Sequence, residues 1–226
     1  MKVVAVIPAY NKGKVLTQSA ITDAGGFVDA VVVIDDGSTD DTASIPSSDR
    51  VFVLRHILNR GQGAALQTGA DFAVQHLGAD IIVHFDADGQ MHGDEIPMMT
   101  KPIIDGEADV VLGSRFLGSS AKDMPLLRKI LVRLGAMFTV VLSGIRVTDT
   151  NNGFRALSCH AASSMRISID RMAHASEILD LIKAKRLRYV ERPVTISYSV
   201  ETLQRGQSTI KALLTIKDIL KKKIVG

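Results

Sequence analysis

Tryptophan is absent from the 226 residues, cysteine occurs once, at Cys159, and aromatic side chains make up only 4% of the chain. A single thiol cannot build a disulfide framework or a cysteine-based zinc site, and it fits a reducing, cytoplasmic setting. With so few aromatics and no basic base-reading motif, a nucleic-acid binder is disfavoured and no nucleic-acid partner is expected. No run approaches the roughly eighteen apolar residues of a membrane span. The nearest, Leu134 to Ile145, is closed at its ends by Arg133 and Arg146, so no bilayer crossing is expected. The start, "MKVVAVIPAY", is cut short by Pro8 and Tyr10 and reads as a first strand rather than a signal peptide. Repeats, low-complexity tracts and linkers are missing too, so the chain is read as one domain, 1–226.

Apolar residues make up 46% of the chain, ample for a sizeable core. Net charge is only +3 but unevenly placed: from Lys183 onward eleven Lys/Arg face three Asp/Glu, so this end carries +8 and the rest −5. A basic end on a slightly acidic body suits an anionic partner, although a solvated face would look the same.

The first half alternates. "VVAVIPAY", "DAVVVIDDGSTDDT", "RVFVLRHI", "ADIIVHF" and "ADVVLGSRF" contain short, continuously apolar strands. Between them, the segment from Lys14 to Ala24, "GQGAALQTGADFAVQHL" and "DEIPMMTKPIIDG" read as helices. That alternation predicts an α/β fold: a Rossmann-like, mostly parallel central sheet with helices on both faces. In such sheets ligands bind beyond the carboxyl ends of the strands. The polar clusters "PAYN", "DDGS", "DADGQ" and "GSRF" all lie at those ends. Later, Leu127, Ile130, Leu131, Leu134, Phe138, Val141 and Leu142 form one helical stripe, "LRYVERPVTISY" a strand with a proline bend, and "STIKALLTIKDILKKKI" a basic amphipathic helix.

Asp86 and Asp88 stand at alternate positions just past the fourth strand, where two carboxylates repel unless a cation joins them. With the amide oxygen of Gln90 they make a hard-oxygen set suited to Mg2+ or Mn2+. The same four residues, Asp-Ala-Asp-Gly, also make an Asx-type turn. His84 shares their parity but is expected to pack inside the strand. In "IDDGSTDDT" a carboxylate can accept from a base or a ribose, or cap a helix. "NRGQGAALQTG" lacks the dinucleotide spacing of glycines, which disfavours a dehydrogenase, and reads as a tight turn into a packed helix.

Taken in order, "PAYN", "DDGSTDDT", "NRGQGAAL", "FDADGQ", "GSRF" and "DTNNGFRAL" resemble family 2 glycosyltransferases of the GT-A fold. The branch they are most similar to contains dolichyl-phosphate mannose synthase and bacterial polyprenyl-phosphate glycosyltransferases. The resemblance implies a metal-dependent, inverting transfer of a hexose from a GDP- or UDP-linked sugar to a polyprenyl or dolichyl phosphate. It implies a nucleotide-sugar-binding half, 1–116, and an acceptor-binding half, 117–226. Pro8, Ala9, Tyr10, Ile34 and Asp36 would line the base and ribose pocket. Asp86, Ala87 and Asp88 would hold metal and diphosphate, with Gln90 completing the metal shell. Arg115 and Arg205 would meet phosphate oxygens, while Asp149, Asn152 and Arg155 would lie on the acceptor side. Asp149 would be the base if the acceptor were a sugar hydroxyl, as in glycan assembly. Two residues depart from the family pattern: Lys12 stands where a Glu is usual, and Asn152 where Ser is common. Lys12 is the one hint of a nucleotide-sugar-binding module without turnover. The Leu127–Phe138 stripe, with Arg128, Lys129 and Arg133, and Lys211, Lys217 and Lys221–Lys223 of the tail suggest peripheral attachment to the anionic cytoplasmic membrane face.

Overall fold

A computed structural model describes residues 1–117, 145–150, 152–167 and 174–197. The apolar stripe, Arg205 and the basic tail named above lie outside the described residues. The chain divides into two units, Met1–Ile196 and Ser197–Gly226, and the elements below belong to the first.

Seven strands are described: β1 (Val3–Ala9), β2 (Ala30–Asp35), β3 (Val51–Arg55), β4 (Ile81–His84), β5 (Val110–Ser114), β6 (Arg155–Ser158) and β7 (Tyr189–Pro193). They form one sheet in the order β3-β2-β1-β4-β6-β5-β7. All neighbours run parallel except β6, which is antiparallel to both β4 and β5. The helices are α1 (Lys14–Gly25), α2 (Gln62–Gln75), α3 (Ile96–Ile104), α4 (Cys159–Ser164) and α5 (His174–Ala184).

The strands are continuously apolar because both faces are covered. Val4, Val6, Val32, Ile34 and Ile82 point to one side, against Leu66 of α2, Ala161 of α4 and Ile178 and Ile182 of α5. Ala5, Ile7, Val31, Val33 and Val83 point to the other, against Ile21 of α1 and Ile96 and Met99 of α3. Alternate residues of a strand face opposite ways, so two cores flank one sheet. No helix of the described residues is long and apolar enough to cross a membrane.

Three features were not expected. β6 inserts between β4 and β5, so a strand of the second half completes the sheet of the first. α4 and α5 supply part of its cover; α5 carries Ile178, Leu179 and Ile182 at helical spacing, all buried. β3 stops at Arg55, two residues short of the end of the expected strand "RVFVLRHI", leaving Ile57 in solvent.

The lead into β6 is fixed by Phe154, fully buried, whose ring meets that of Phe85 edge-on at 5.7 Å between centroids. The main chain at Phe154 also accepts the N–H of Gly113 at 2.9 Å. One aromatic therefore locks β4, β5 and β6 together. Phe154→Ala is expected to lower stability by about 3–5 kcal/mol. Urea unfolding followed by circular dichroism measures it; a loss under about 1 kcal/mol would mean that β6 is held by its neighbours without this side chain.

Candidate functional site

The polar cluster after β2 first serves the backbone after β1. The N–H groups of Asn11, Lys12, Gly13 and Lys14 donate to Ser38 Oγ, Thr42 Oγ1, Asp40 Oδ2 and Asp41 Oδ1, at 3.0–3.1 Å. Asn11 Oδ1 in return accepts the N–H of Thr39 at 2.9 Å. Hydrogen bonds from Thr42, then from Gly13, hold the Asp40 carboxyl below the usual range. This explains why Ser, Thr and Asp crowd "DDGSTDDT": they supply acceptors for a loop whose amides have no partners of their own.

Asp36 ties together three segments. Its Oδ1 accepts from His56 Nδ1 at 2.7 Å and from the N–H of Arg60 at 3.0 Å, and Oδ2 accepts the N–H of Gly61 at 2.6 Å. A carboxylate that accepts can only be met by a protonated Nδ1, so His56 Nε2 is left facing Thr68 Oγ1 at 3.0 Å. Asp36 is 2% exposed. Gly61 in turn opens α2, and the first residue of that helix, Gln62, donates from Nε2 to Asp86 Oδ1 at 2.8 Å.

Asp86 and Asp88 lie in the turn beyond β4, both only partly exposed. Gln90 folds back on the second of them, its N–H donating to Asp88 Oδ1 at 3.2 Å and its Nε2 to Oδ2 at 2.9 Å. Burial, and then the charge of Asp88, push the Asp86 carboxyl up to about 6. Arg155, Lys12 and Gln62 pull it down without cancelling the rise. Lys12 thus places a cation near the carboxylate pair, where the family pattern has an acid.

The "DTNNGFR" segment closes on the same carboxylate. A Cβ on Gly153 would stand 2.5 Å from Asp86 Oδ2, so only glycine lets the backbone approach this close. Thr150 Oγ1, Asn152 Nδ2 and Arg155 Nη1 are buried and have no hydrogen-bond partner among the described residues. Burial pushes the Arg155 guanidinium down to about 10, while Asp86 and Asp149 oppose the fall. Buried polar groups without partners at a site edge mark places where water or a ligand completes the bonding.

Arg115 and Asp149 meet each other. Arg115 donates from Nε and Nη2 to the two oxygens of Asp149 at 2.6 and 2.8 Å, and from its main-chain N–H at 3.1 Å. Glu191 of β7 steadies this pair by accepting the N–H of Thr148 at 2.8 Å. Asp149 is 3% exposed, and a buried bidentate pair of this kind is a fixed unit. The expected proton acceptor and the expected phosphate ligand therefore come together as partners.

Of the other expected residues, Pro8, Ala9, Ile34 and Ala87 are buried at the strand ends, and Tyr10 is 45% exposed beside them. His84 packs inside the sheet, 1% exposed. Gln62, Gly153, His56 and Glu191 were not singled out in the sequence. Gln62 lies within a glycine-rich motif and Gly153 beside a site asparagine, so those signals were present; nothing local marks His56 or Glu191.

Comparison with known proteins points one way. Residues 4–160 match the model of glycosyl transferase family 2. The UDP-N-acetylglucosamine–dolichyl-phosphate N-acetylglucosaminyltransferase of Methanococcus voltae is 33% identical, over 91% of this chain and 89% of its own. The undecaprenyl-phosphate mannosyltransferase of Micrococcus luteus is 29% identical, over 86% and 83%. Glucosyl-3-phosphoglycerate synthase from Mycobacterium tuberculosis, solved with Mn2+ and UDP-glucose, superposes with a TM-score of 0.67 over 97% of this chain and 76% of that one. At 19% identity this last likeness is one of fold, and it is the GT-A fold.

The raised Asp86 carboxyl has a measurable sign. Folded, it holds its proton up to about pH 6; unfolded, it releases it near the ordinary carboxylate value of 3.8. Without divalent ions, its contribution to stability therefore falls as pH rises from about 4 to about 6. The loss should be about 2 kcal/mol, reduced from 1.4 kcal/mol per pH unit because the group is partly solvated. Urea unfolding at pH 4.5 and 7 in EDTA checks this, and Asp86→Asn should flatten the slope. An equal slope in that variant assigns the titration elsewhere.

Proposed function

We propose, from the premise that the chain belongs to glycosyl transferase family 2 and is a glycosyltransferase, that it moves a hexose from a GDP- or UDP-linked donor to a polyprenyl phosphate, with inversion and with a bound Mg2+ or Mn2+. The carrying observation is the Arg115–Asp149 pair. A sugar hydroxyl acceptor needs a base, and here the expected base has both oxygens engaged by a guanidinium. A lipid monophosphate needs none, since its second pKa is about 6 and it is largely anionic near neutrality. Two relatives carry dolichyl phosphate or undecaprenyl phosphate in their names, which supports the same acceptor class.

The residues present fit a divalent ion. Two adjacent carboxylates, one pushed up by burial and by the other, gain from a cation between them. No cluster of three or more His, Cys, Asp or Glu exists among the described residues. Asp86, Asp88 and the side-chain amide oxygen of Gln90 would then supply part of the shell, which suits an ion that shares its coordination with substrate phosphates. When bound, the ion supplies charge stabilisation for the departing nucleoside diphosphate. The named M. tuberculosis structure contains Mn2+.

The protein's own groups do the rest. Gln62 and the Gly153 backbone fix the orientation of Asp86. Pro8, Ala9, Ile34 and Tyr10 form the floor and wall for base and ribose. Asp36 acts on that pocket through the loop it anchors at Arg60 and Gly61. Asp149 orients Arg115 toward the acceptor phosphate, and Asn152 and Arg155 complete the acceptor side. Arg205 is assigned to phosphate by the sequence resemblance alone.

Two measurements test this. Asp88→Ala should keep the fold and abolish Mn2+-supported donor binding in calorimetry with UDP- and GDP-sugars; unchanged affinity removes the metal assignment. Asp149→Asn should loosen Arg115 and raise KM for a short polyprenyl phosphate about 10–100-fold, with the pH profile of kcat unchanged. Loss of the acidic limb of that profile, with KM unmoved, would make Asp149 a base and the acceptor a hydroxyl.

A further inference from the structure

The loop from His56 to Arg60 has a feature that donor binding does not use. Ile57 is 96% exposed and its neighbour Leu58 71% exposed. Single apolar residues scattered on a surface need no explanation. Here two stand together at a loop tip that cannot fold them inward. His56 is held by Asp36 and Thr68, and the N–H of Arg60 by Asp36 again. The backbone of Leu58 and Asn59 lies within 2.9 Å of the position a Cβ on Gly37 would take. Both ends and the middle of the loop are pinned, so the two side chains are presented outward by construction.

The position of the tip gives it an orientation. It follows β3, and β3 runs parallel to β2 and β1, so it shares one end of the sheet with the loops that carry Tyr10 and Asp86. Tyr10 and Leu117, 45% and 42% exposed, add apolar surface after β1 and β5. Arg55 and Arg60 flank the tip in the chain; Arg60 is exposed, and Arg55 keeps 59% of its side chain exposed while its Nε meets Asp35 at 3.2 Å. Lys12 and Lys14 are exposed after β1, at the same end of the sheet. Among the described residues of this end, exposed Asp40 and Asp41 are engaged with backbone N–H groups, and the partly exposed Asp86 and Asp88 lie beyond β4, which β2 and β1 separate from β3. An apolar tip flanked by two arginines matches an anionic lipid surface, with aliphatic chains below and phosphate above.

We propose that Ile57 and Leu58, flanked by Arg55 and Arg60, insert into the interfacial region of an anionic bilayer and seat the site end of the sheet on it. This rests on the reading that the acceptor is a lipid phosphate, and it deepens that reading by naming the surface that reaches it. The tip is ordered before it binds, so little conformational freedom is lost on insertion. Seated this way, the strand ends open toward the headgroup layer, where the phosphate of a polyprenyl chain lies.

The absence of tryptophan provides the experiment. Leu58→Trp places one reporter at the tip, and Phe27→Trp places one at the opposite end of the sheet, ahead of β2, on a residue 43% exposed. With phosphatidylglycerol vesicles, Leu58→Trp emission should shift to the blue and be quenched by brominated acyl chains, while Phe27→Trp should do neither. Ile57→Ser/Leu58→Ser should lower partitioning onto these vesicles about tenfold or more. Its turnover of a water-soluble short-chain prenyl phosphate should stay at the starting level. Unchanged Leu58→Trp emission, or a double variant that partitions like the starting protein, overturns the proposal. So does a double variant whose only change is loss of self-association in light scattering, which would make the patch a contact between copies. If no prenyl phosphate is turned over while Leu58→Trp still shifts on vesicles, the acceptor reading fails and the surface stands.

Discussion

The Asp36 carboxylate is the constraint on which the site depends. A buried carboxylate is costly unless its lone pairs are satisfied. This one is satisfied by a histidine ring and two main-chain N–H groups that belong to neither β2 nor its turn. Meeting that requirement draws the loop after β3 over the end of β2 and sets where α2 begins. The start of α2 then determines where Gln62 reaches, and Gln62 holds Asp86. One desolvated charge thus passes a position from the base-side loops to the carboxylate pair.

Charge is arranged differently across the rest of the site. Asp86 and Asp88 are like charges left near each other, with buried Arg155 and exposed Lys12 as the cations that offset part of the repulsion at Asp86. Arg115 and Asp149 are opposite charges brought into full contact. The first arrangement keeps a repulsion between its two carboxylates that a cation would relieve; the second is closed and holds a guanidinium at a fixed angle. The proposed transfer, with a diphosphate to receive and a second phosphate to position, would use both: the open carboxylate pair for the leaving group and the aimed cation for the incoming anion.

Most of the sheet was legible because its strands are continuous apolar runs bounded by polar loops, as in "AVVVID" of β2, whose six residues are all buried. The grouping of Tyr10, Asp36, Asp86 and Arg115 at one end followed from parallel order alone. β6 was not legible. It has four residues, begins with a charged one, and runs against its neighbours, so neither periodicity nor alternation marks it. The amphipathic pattern of α5 could have been found, since Ile178, Leu179 and Ile182 recur at helical spacing. The Arg115–Asp149 contact spans 34 residues of chain and the Thr148–Glu191 contact 43. Sequence could assign each of the first two a separate ligand but could not see them meet.

The place of β6 also bears on how the chain is made. Among the described residues β5 pairs only with β6 and β7. During synthesis β1 to β4 can assemble as soon as they emerge, each beside a strand already present. β5 cannot join them, because the strand that bridges it to β4 ends only at Ser158, roughly 40 residues later. At about 5–20 residues per second this leaves an apolar strand without a ladder for some seconds. Over that interval both edges of "VVLGS" are open, and β4 presents a bare edge as well. Direct pairing of β4 with β5 is the obvious wrong product, since both are short, buried and apolar. Native pairing of β4 and β5 therefore waits for Phe154 and Arg155, and the longer the intervening stretch takes to emerge, the longer that wrong register stays open.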